Sequence, residues 1–200
     1  FRRSLLHRGS KYHASVHVVR SRPPQLVGLA LAALVALAVA TGASGANHVR
    51  RIHGCAIHPH THCPGANLNN SDLHLADLAQ SDLFGATIDS SNLTNANLSH
   101  TDIRHGNVYH SDFFSANLEG ANLSFSNATN THFTYARLRR VDLRNTDLFK
   151  ADLYKADLEN ADLENANLVD ANLADADLCY ADLRNANLAG ANLHGANFCR

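Results

Sequence analysis

Acidic side chains are missing from the first 65 residues, which carry eight Lys or Arg and no Asp or Glu. All eighteen acids and the other nine bases come later, so a formal charge of +8 gives way to −9. That asymmetry excludes a single evenly charged body and points to two segments in different environments. Methionine and tryptophan are absent altogether, while Asn, Asp, Ala and Leu dominate the second half. The chain opens at Phe1 without an initiator Met and its pattern runs to the last residue, so further residues are expected at one or both ends. Also absent are a glycine-rich phosphate loop, a nucleophile elbow and any carboxylate pair set apart from the surrounding pattern. Ser, His and Asp are plentiful, but each sits in a slot that a repeat explains. No catalytic residue is assigned, and an enzyme is not expected.

Charge is lacking again from residue 26 to residue 40, LVGLALAALVALAVA, with six bases before it in 1–22 and the small residues TGASGA after it. A basic flank, an apolar core and a small-residue tail are the three parts of a secretory signal. Ser44 and Ala46 suit cleavage before Asn47. Fifteen residues are short against the ~20 a bilayer crossing needs. Extended through Ala46 the stretch also reads as an uncleaved membrane anchor, and a buried core helix is a third reading. In the first two, the basic flank stays cytoplasmic and everything after residue 46 faces outward. The chain then divides into a basic region 1–25, a signal core or transmembrane anchor 26–46, a Cys/His-rich junction and cap 47–65, and a repeat region 66–200.

From Ala66 onward the chain falls into blocks of five with the pattern A-(D/N)-L-x-x, and 135 residues make 27 blocks without an insertion or deletion. The central residue is apolar in all 27; two positions earlier it is Ala, Ser, Thr or Gly in every block except that of Val141. A period of five fits neither helix nor strand and demands a turn in every block. One large apolar and one small residue per block must point inward, since nothing else can build a core. Leu68, Leu73, Leu78, Phe113, Phe133, Leu148 and Leu168 are expected among them, with Phe113 and Phe133 filling space lost at Ala128. Asp or Asn beside the centre suits a turning backbone, because its side chain bonds nearby amides.

These blocks resemble the pentapeptide-repeat family, and the resemblance covers all of 66–200. It implies an all-β solenoid: a right-handed quadrilateral parallel β-helix with four blocks per coil, preceded here by an N-terminal hydrophobic helix. Twenty-seven blocks then give about seven coils and a rod roughly 32 Å long at the inter-strand spacing. Residues twenty apart lie above one another. Glu119, Arg139 and Glu159 share a column of alternating sign, as do Arg144, Glu164 and Arg184; Lys150 stacks on Asp170 and Lys155 on Asp175. Asp142, Asp162 and Asp182 form an acidic column, with Asp82 and Asp102 lower down, and the favoured reading is that each carboxylate bonds its own turn amides rather than a shared cation such as calcium.

Four cysteines in an exported chain suggest disulfides. Cys179 and Cys199, twenty apart, are expected to bridge, with free surface thiols as the alternative. Cys55 and Cys63 flank the segment just before the repeats, where a short disulfide loop would staple a cap over an otherwise open solenoid end. A metal site is the competing reading there, because His58, His60 and His62 alternate and imidazole suits zinc or copper.

On the surface, Tyr135 with Arg137, Arg139, Arg140 and Arg144 is the most distinctive patch, with Phe114 and Tyr154 flanking Thr134 on a neighbouring column; Arg and aromatic residues are enriched where proteins meet partners. The expected function is a non-catalytic, extracytoplasmic scaffold that engages a protein or cell-envelope component, needs no cofactor, and touches the membrane through 26–46 if that segment is uncleaved. Some proteins resembling this family mimic duplex DNA and bind topoisomerases. That is the alternative, which export and the arginines oppose, and nucleic acid itself is not an expected partner. An end-to-end homodimer is expected if Phe198 closes the core.

Overall fold

The computed structural model describes residues 50–199, so the 26–46 segment lies outside the described residues. Among those described, no helix is long and apolar enough to cross a membrane. The described chain begins with a hairpin of β1 (Arg51–Ile52) and β2 (Cys55–Ala56), paired antiparallel with Ile52 opposite Cys55. Its turn is His53-Gly54, both with positive φ (47° and 90°), which a two-residue hairpin turn of type I′ requires. Gly54 meets that demand without a Cβ clash.

From there the backbone winds as a ladder in which residue i bridges residue i+20 in parallel, from His62↔Asp82 to Asp177↔Asn197. A turn every five residues and a repeat every twenty give each coil four sides. We number the faces by their central residues: face 1 through Leu68, face 2 through Leu73, face 3 through Leu78 and face 4 through Leu83. The ladder starts one block earlier than the 66–200 division. Thr61 is buried, His62 bridges Asp82, and Cys63 fills the central slot of a block 61–65.

The block 96–100 shows why the period is five, since each of its amides has a distinct acceptor. Ala96 N–H closes a turn on Leu93 O (2.9 Å), and Asn97 N–H reaches back to Ala76 O on the preceding coil (2.8 Å). Leu98 and His100 N–H donate forward to Asn117 O (2.7 Å) and Glu119 O (2.9 Å). The remaining amide, Ser99 N–H, has no backbone acceptor and donates to Asn97 Oδ1 (3.3 Å). The Asp/Asn position thus satisfies the one amide that the turn would orphan. Asn side chains also climb the rod: Asn92 Nδ2 donates to Asp72 Oδ1 (3.2 Å) and Asn167 Nδ2 to Asp147 Oδ1 (2.8 Å).

The fifth residue of each block lies in the left-handed region, with φ of 54° at Asn70, 57° at Leu75 and 59° at Asn185. Asn tolerates this better than a bulky aliphatic residue, for which the conformation costs ~1–2 kcal/mol. Leu75 is 59% exposed and so has little burial to lose. Leu75→Asn is expected to raise stability by about 0.5–1 kcal/mol, read as an upward shift in thermal midpoint.

The core is one continuous column. Leu68, Leu73, Leu78, Phe113, Phe133, Leu148 and Leu168 are fully buried, and the small residues beside the centres are nearly so. Phe113 and Phe133 stack at 5.1 Å between ring centroids with 23° between planes. From Ser81 onward, where Ser or Thr takes the small slot its hydroxyl donates to a carbonyl on the preceding coil, as Thr101 Oγ1 does to Leu78 O (2.7 Å) and Thr131 Oγ1 to Val108 O (2.7 Å). Ser126 is the exception: its buried hydroxyl has no partner. An unpaired buried hydroxyl costs ~1–3 kcal/mol. Ser126→Ala is therefore expected to stabilise the fold by about 1 kcal/mol, measured by urea unfolding. In the last described coil Leu183, Leu188 and Leu193 are half-buried and Phe198 is exposed.

Candidate partner-binding surface

All four cysteines are bonded. Cys55–Cys63 joins the hairpin to the first block across a Cα–Cα distance of 5.8 Å, and Cys179–Cys199 joins stacked positions 4.8 Å apart. The bonded sulfurs are not available as thiolate ligands at the junction, which leaves only the histidines for a metal. The three alternating histidines do not converge either. His58 Nδ1 lies 2.6 Å from Pro59 O, His62 Nδ1 lies 2.7 Å from Asp82 Oδ2, and His60 sits exposed at a left-handed turn (φ 59°). Among the described residues no group of three or more His, Cys, Asp or Glu could hold a metal ion. The expectation from their alternation assumed a straight extended segment, and the turn at His60 breaks it.

The four arginines expected in one patch are tied into carboxylates instead of lying free. Glu119 receives Arg137 and Arg140, each at 3.4 Å; Arg139 pairs with Glu159 and lies 3.6 Å from Asp157; Arg144 pairs with Asp142 at 2.6 Å and Asp162 at 3.4 Å. Guanidinium reach, not the vertical column alone, decides these partners, which is why Glu119 pairs diagonally and not with Arg139. The expected stack of Lys150 on Asp170 and Lys155 on Asp175 does not close into an ion pair. Lys150 Nζ sits 4.9 Å from the Phe149 ring centre, and Lys155 Nζ lies 5.1 Å and 5.7 Å from those of Tyr154 and Tyr135.

In the acidic column, Oδ1 of Asp142, Asp162 and Asp182 each accepts the amide of its own turn at 3.1 Å, as Asp82 and Asp102 do lower down. The Arg104 side chain holds the Asp102 carboxyl below its ordinary range, and Arg184 does the same for Asp182. Burial pushes Asp142 up, but the Arg144 guanidinium and amide outweigh it and leave the carboxyl lowered. Asp157 goes the other way: burial raises it, and although Arg139 opposes the rise, stacked Asp177 adds to it.

The signs of these shifts set the pH response. A lowered folded pKa contributes stability that is present above the unfolded value, ~3.9, and is lost as pH falls through the folded value. A raised one contributes below ~3.9 and is lost as pH rises through the folded pKa. Three lowered groups against one raised predict a melting temperature that falls as the pH drops from about 5 to about 2. Asp157→Asn, which also lets an amide replace one of two stacked carboxylates, should gain on the parent as the pH rises above about 4.

Aromatic rings gather at the corners. Phe114, Tyr135 and Tyr154 form a chain of edge-on contacts at 5.7 Å and 5.9 Å along the corner between faces 2 and 3. At the opposite edge of face 2 stand Tyr109 and Phe149, forty residues apart in one column. On the corner between faces 4 and 1, His105 lies between Phe84 (5.4 Å, edge-on) and Phe125 (5.2 Å, stacked). Tyr135 therefore has aromatic neighbours on its own corner, while the arginines grouped with it in sequence engage the carboxylates of faces 3 and 4. The sequence reading missed Tyr109, Phe149 and the Phe84–His105–Phe125 trio; the forty residues from Tyr109 to Phe149 and the twenty from His105 to Phe125 were the available signal.

Among solved structures the chain is similar to HetL, a pentapeptide repeat protein involved in heterocyst differentiation regulation from the cyanobacterium Nostoc (23% identity over 81% of this chain and 94% of that one, TM-score 0.35). It is also similar to Rfr23 from the cyanobacterium Cyanothece 51142 (24% identity, 69% and 91% covered, TM-score 0.38) and to QnrB1, a plasmid-mediated fluoroquinolone resistance protein (16% identity, 70% and 84% covered, TM-score 0.40). No curated protein matches it by sequence. The profile of the pentapeptide repeats matches in 8 copies, over 60–89, 91–127, 109–148, 126–165 and 166–200. The twenty-residue ladder, the five-amide block and this match across the whole of the described coil identify the chain as a member of the pentapeptide-repeat family.

Proposed function

We propose that the protein is a non-catalytic, extracytoplasmic scaffold of about seven coils, exported or anchored through 26–46, that presents its faces to a protein or cell-envelope partner. The observation that carries the location is the pairing of all four cysteines, since disulfides form and persist in oxidising compartments. Regularity supports the absence of turnover: among the described residues the backbone amides are taken up by the ladder, and the Ser, His and Asp side chains sit in slots that the repeat explains. The arginine network on faces 3 and 4 weighs against the duplex-mimic alternative, because guanidinium groups break up the run of carboxylates such a mimic needs.

Fractionation of cells carrying a C-terminally tagged full-length protein, with protease applied to intact cells, tests the reading. Export predicts tag recovery outside the cytoplasm, protease access, and no free thiol reacting with a maleimide before reduction. Recovery in the soluble cytoplasm with four reactive thiols would overturn it and return the duplex-mimic alternative, for which inhibition of DNA supercoiling is the assay.

A further inference from the structure

Face 2 differs from its neighbours in what lines it. Its outward column carries Asp112, His132 and Asp152, stacked by the ladder, and no arginine of the described chain reaches it. Neither Asp112 nor Asp152 is in an ion pair among the described residues, whereas Asp102, Asp142 and Asp182 all are. Each accepts a turn amide on Oδ1 and a threonine hydroxyl on Oδ2 (Thr94 at 3.4 Å, Thr134 at 3.0 Å); Asp152 Oδ1 also accepts from Asn172 Nδ2 (2.9 Å), and the second lone pair of each Oδ2 is left for a further donor. The face is flanked by Tyr109 and Phe149 on one side and by Phe114, Tyr135 and Tyr154 on the other. Phe114 is 42% exposed and Tyr135 46%. The Lys150 ammonium rests over Phe149 and that of Lys155 over Tyr135 and Tyr154, so these ring faces attract cations, and a ligand packing on them has to displace the two lysines.

The spacing is the second clue. Asp112 and Asp152, Phe114 and Tyr154, and Tyr109 and Phe149 are each forty residues apart, two coils along the axis. Stacked Cα atoms twenty residues apart are 4.8 Å apart at Cys179 and Cys199. Two coils therefore span about 9.6 Å. A polyproline II helix has three residues per turn at about 3.1 Å each, so every third residue returns to the same side after about 9.3 Å. An extended β-strand, with a same-side repeat of about 6.8 Å, does not match.

We propose that face 2 binds a proline-rich basic segment of a partner protein in polyproline II conformation, lying along the rod axis. Arginines at every third position reach Asp112 and Asp152 with charge-assisted hydrogen bonds, and the intervening prolines pack on the flanking rings. The preformed helix keeps the entropy of ordering small, which suits a partner held along an exposed face. This deepens the scaffold reading and rests on it for the existence of a partner.

The test uses the full chain and a fluorescent (Pro-Pro-Arg)4 peptide, with (Gly-Ser-Arg)4 as a probe of equal charge that does not hold the helix. Anisotropy should report saturable binding of the first and at least about tenfold weaker binding of the second. Phe114→Ser with Tyr154→Ser, both on the surface, should weaken the proline peptide by a similar factor. Asp112→Asn with Asp152→Asn should do so too and flatten the salt dependence, with circular dichroism melts confirming that each double variant is folded. Equal binding of the two peptides would reduce the effect to charge alone and overturn the proposal. So would the absence of saturation by about 1 mM, or folded variants that bind as the parent does. Those failures remove the partner class; recovery of the protein in the cytoplasm would instead remove the export reading and leave the peptide result standing.

Discussion

Phe133→Ala should lower the stability of the coil by about 3–5 kcal/mol, at the upper end of what truncating a buried side chain costs. Phe133 is fully buried and stacks on Phe113, so the substitution removes transfer free energy, leaves a cavity, and strips one ring of its aromatic partner. Relaxation is restricted because the coils above and below are held at fixed spacing by the ladder. Ala128, the central residue of the adjacent face in the same coil, sets the context: there the core has a methyl group where the stacked blocks have Val108 and Leu148. Ala128→Leu alone should overpack the coil and cost about 1–3 kcal/mol. Combined with Phe133→Leu it should cost less than the two single changes together, and a double-mutant cycle by urea unfolding measures that coupling. Additive costs would mean that Phe133 does not extend over the Ala128 side.

Removing the Cys55–Cys63 bridge, by Cys55→Ser with Cys63→Ser, should cost about 2.5 kcal/mol on a chain-entropy estimate for a loop of this length. The loss is expected to be local. The bridge ties β1 and β2 to the first block, and in a solenoid each repeat is stabilised chiefly by its neighbours. Hydrogen exchange should show the amides of 57–68 losing protection while those of Phe113 to Leu148 keep theirs. Serine in the Cys63 slot adds a polar group to a central position, so Cys63→Val with Cys55→Ala is the control that separates the lost covalent tie from the changed core. A drop in protection spread evenly along the rod would contradict the local account.

Much of this structure was legible in the sequence, and the reasons are specific. A frame of five with one large and one small inward residue leaves the backbone few options, so faces, columns and buried centres follow from counting. The block 61–65 escaped because Cys63 stands where Leu is usual and Pro64 follows it, which disguises the pattern at its first appearance. Ion pairs were harder. Counting in steps of twenty finds vertical neighbours, yet Arg137 and Arg140 reach Glu119 diagonally, across separations of 18 and 21 residues. The lysines turned to aromatic rings on their own corner, because the flexible stem places the ammonium over the ring face beside it. The junction histidines could not be placed from alternation alone, since the left-handed turn at His60 depends on backbone bonds to the coil beyond, such as His60 N–H to Ala79 O.

The amide pattern of the five-residue block carries a consequence for how such a chain changes over time. Within the repeats every backbone bond connects a residue to the previous block or to the block one coil away, so the lattice tolerates loss or gain of a whole block. Four blocks make a coil, however, and deleting one would turn everything downstream by a quarter revolution relative to everything upstream. The interior would scarcely register it, because all centres are alike, while every outward column would be cut and rejoined to a stranger: Asp152 would no longer stand over His132, nor Tyr154 beside Tyr135. Twenty-residue duplications preserve what the surface displays and five-residue ones scramble it, so the length of this rod can drift freely only in whole revolutions.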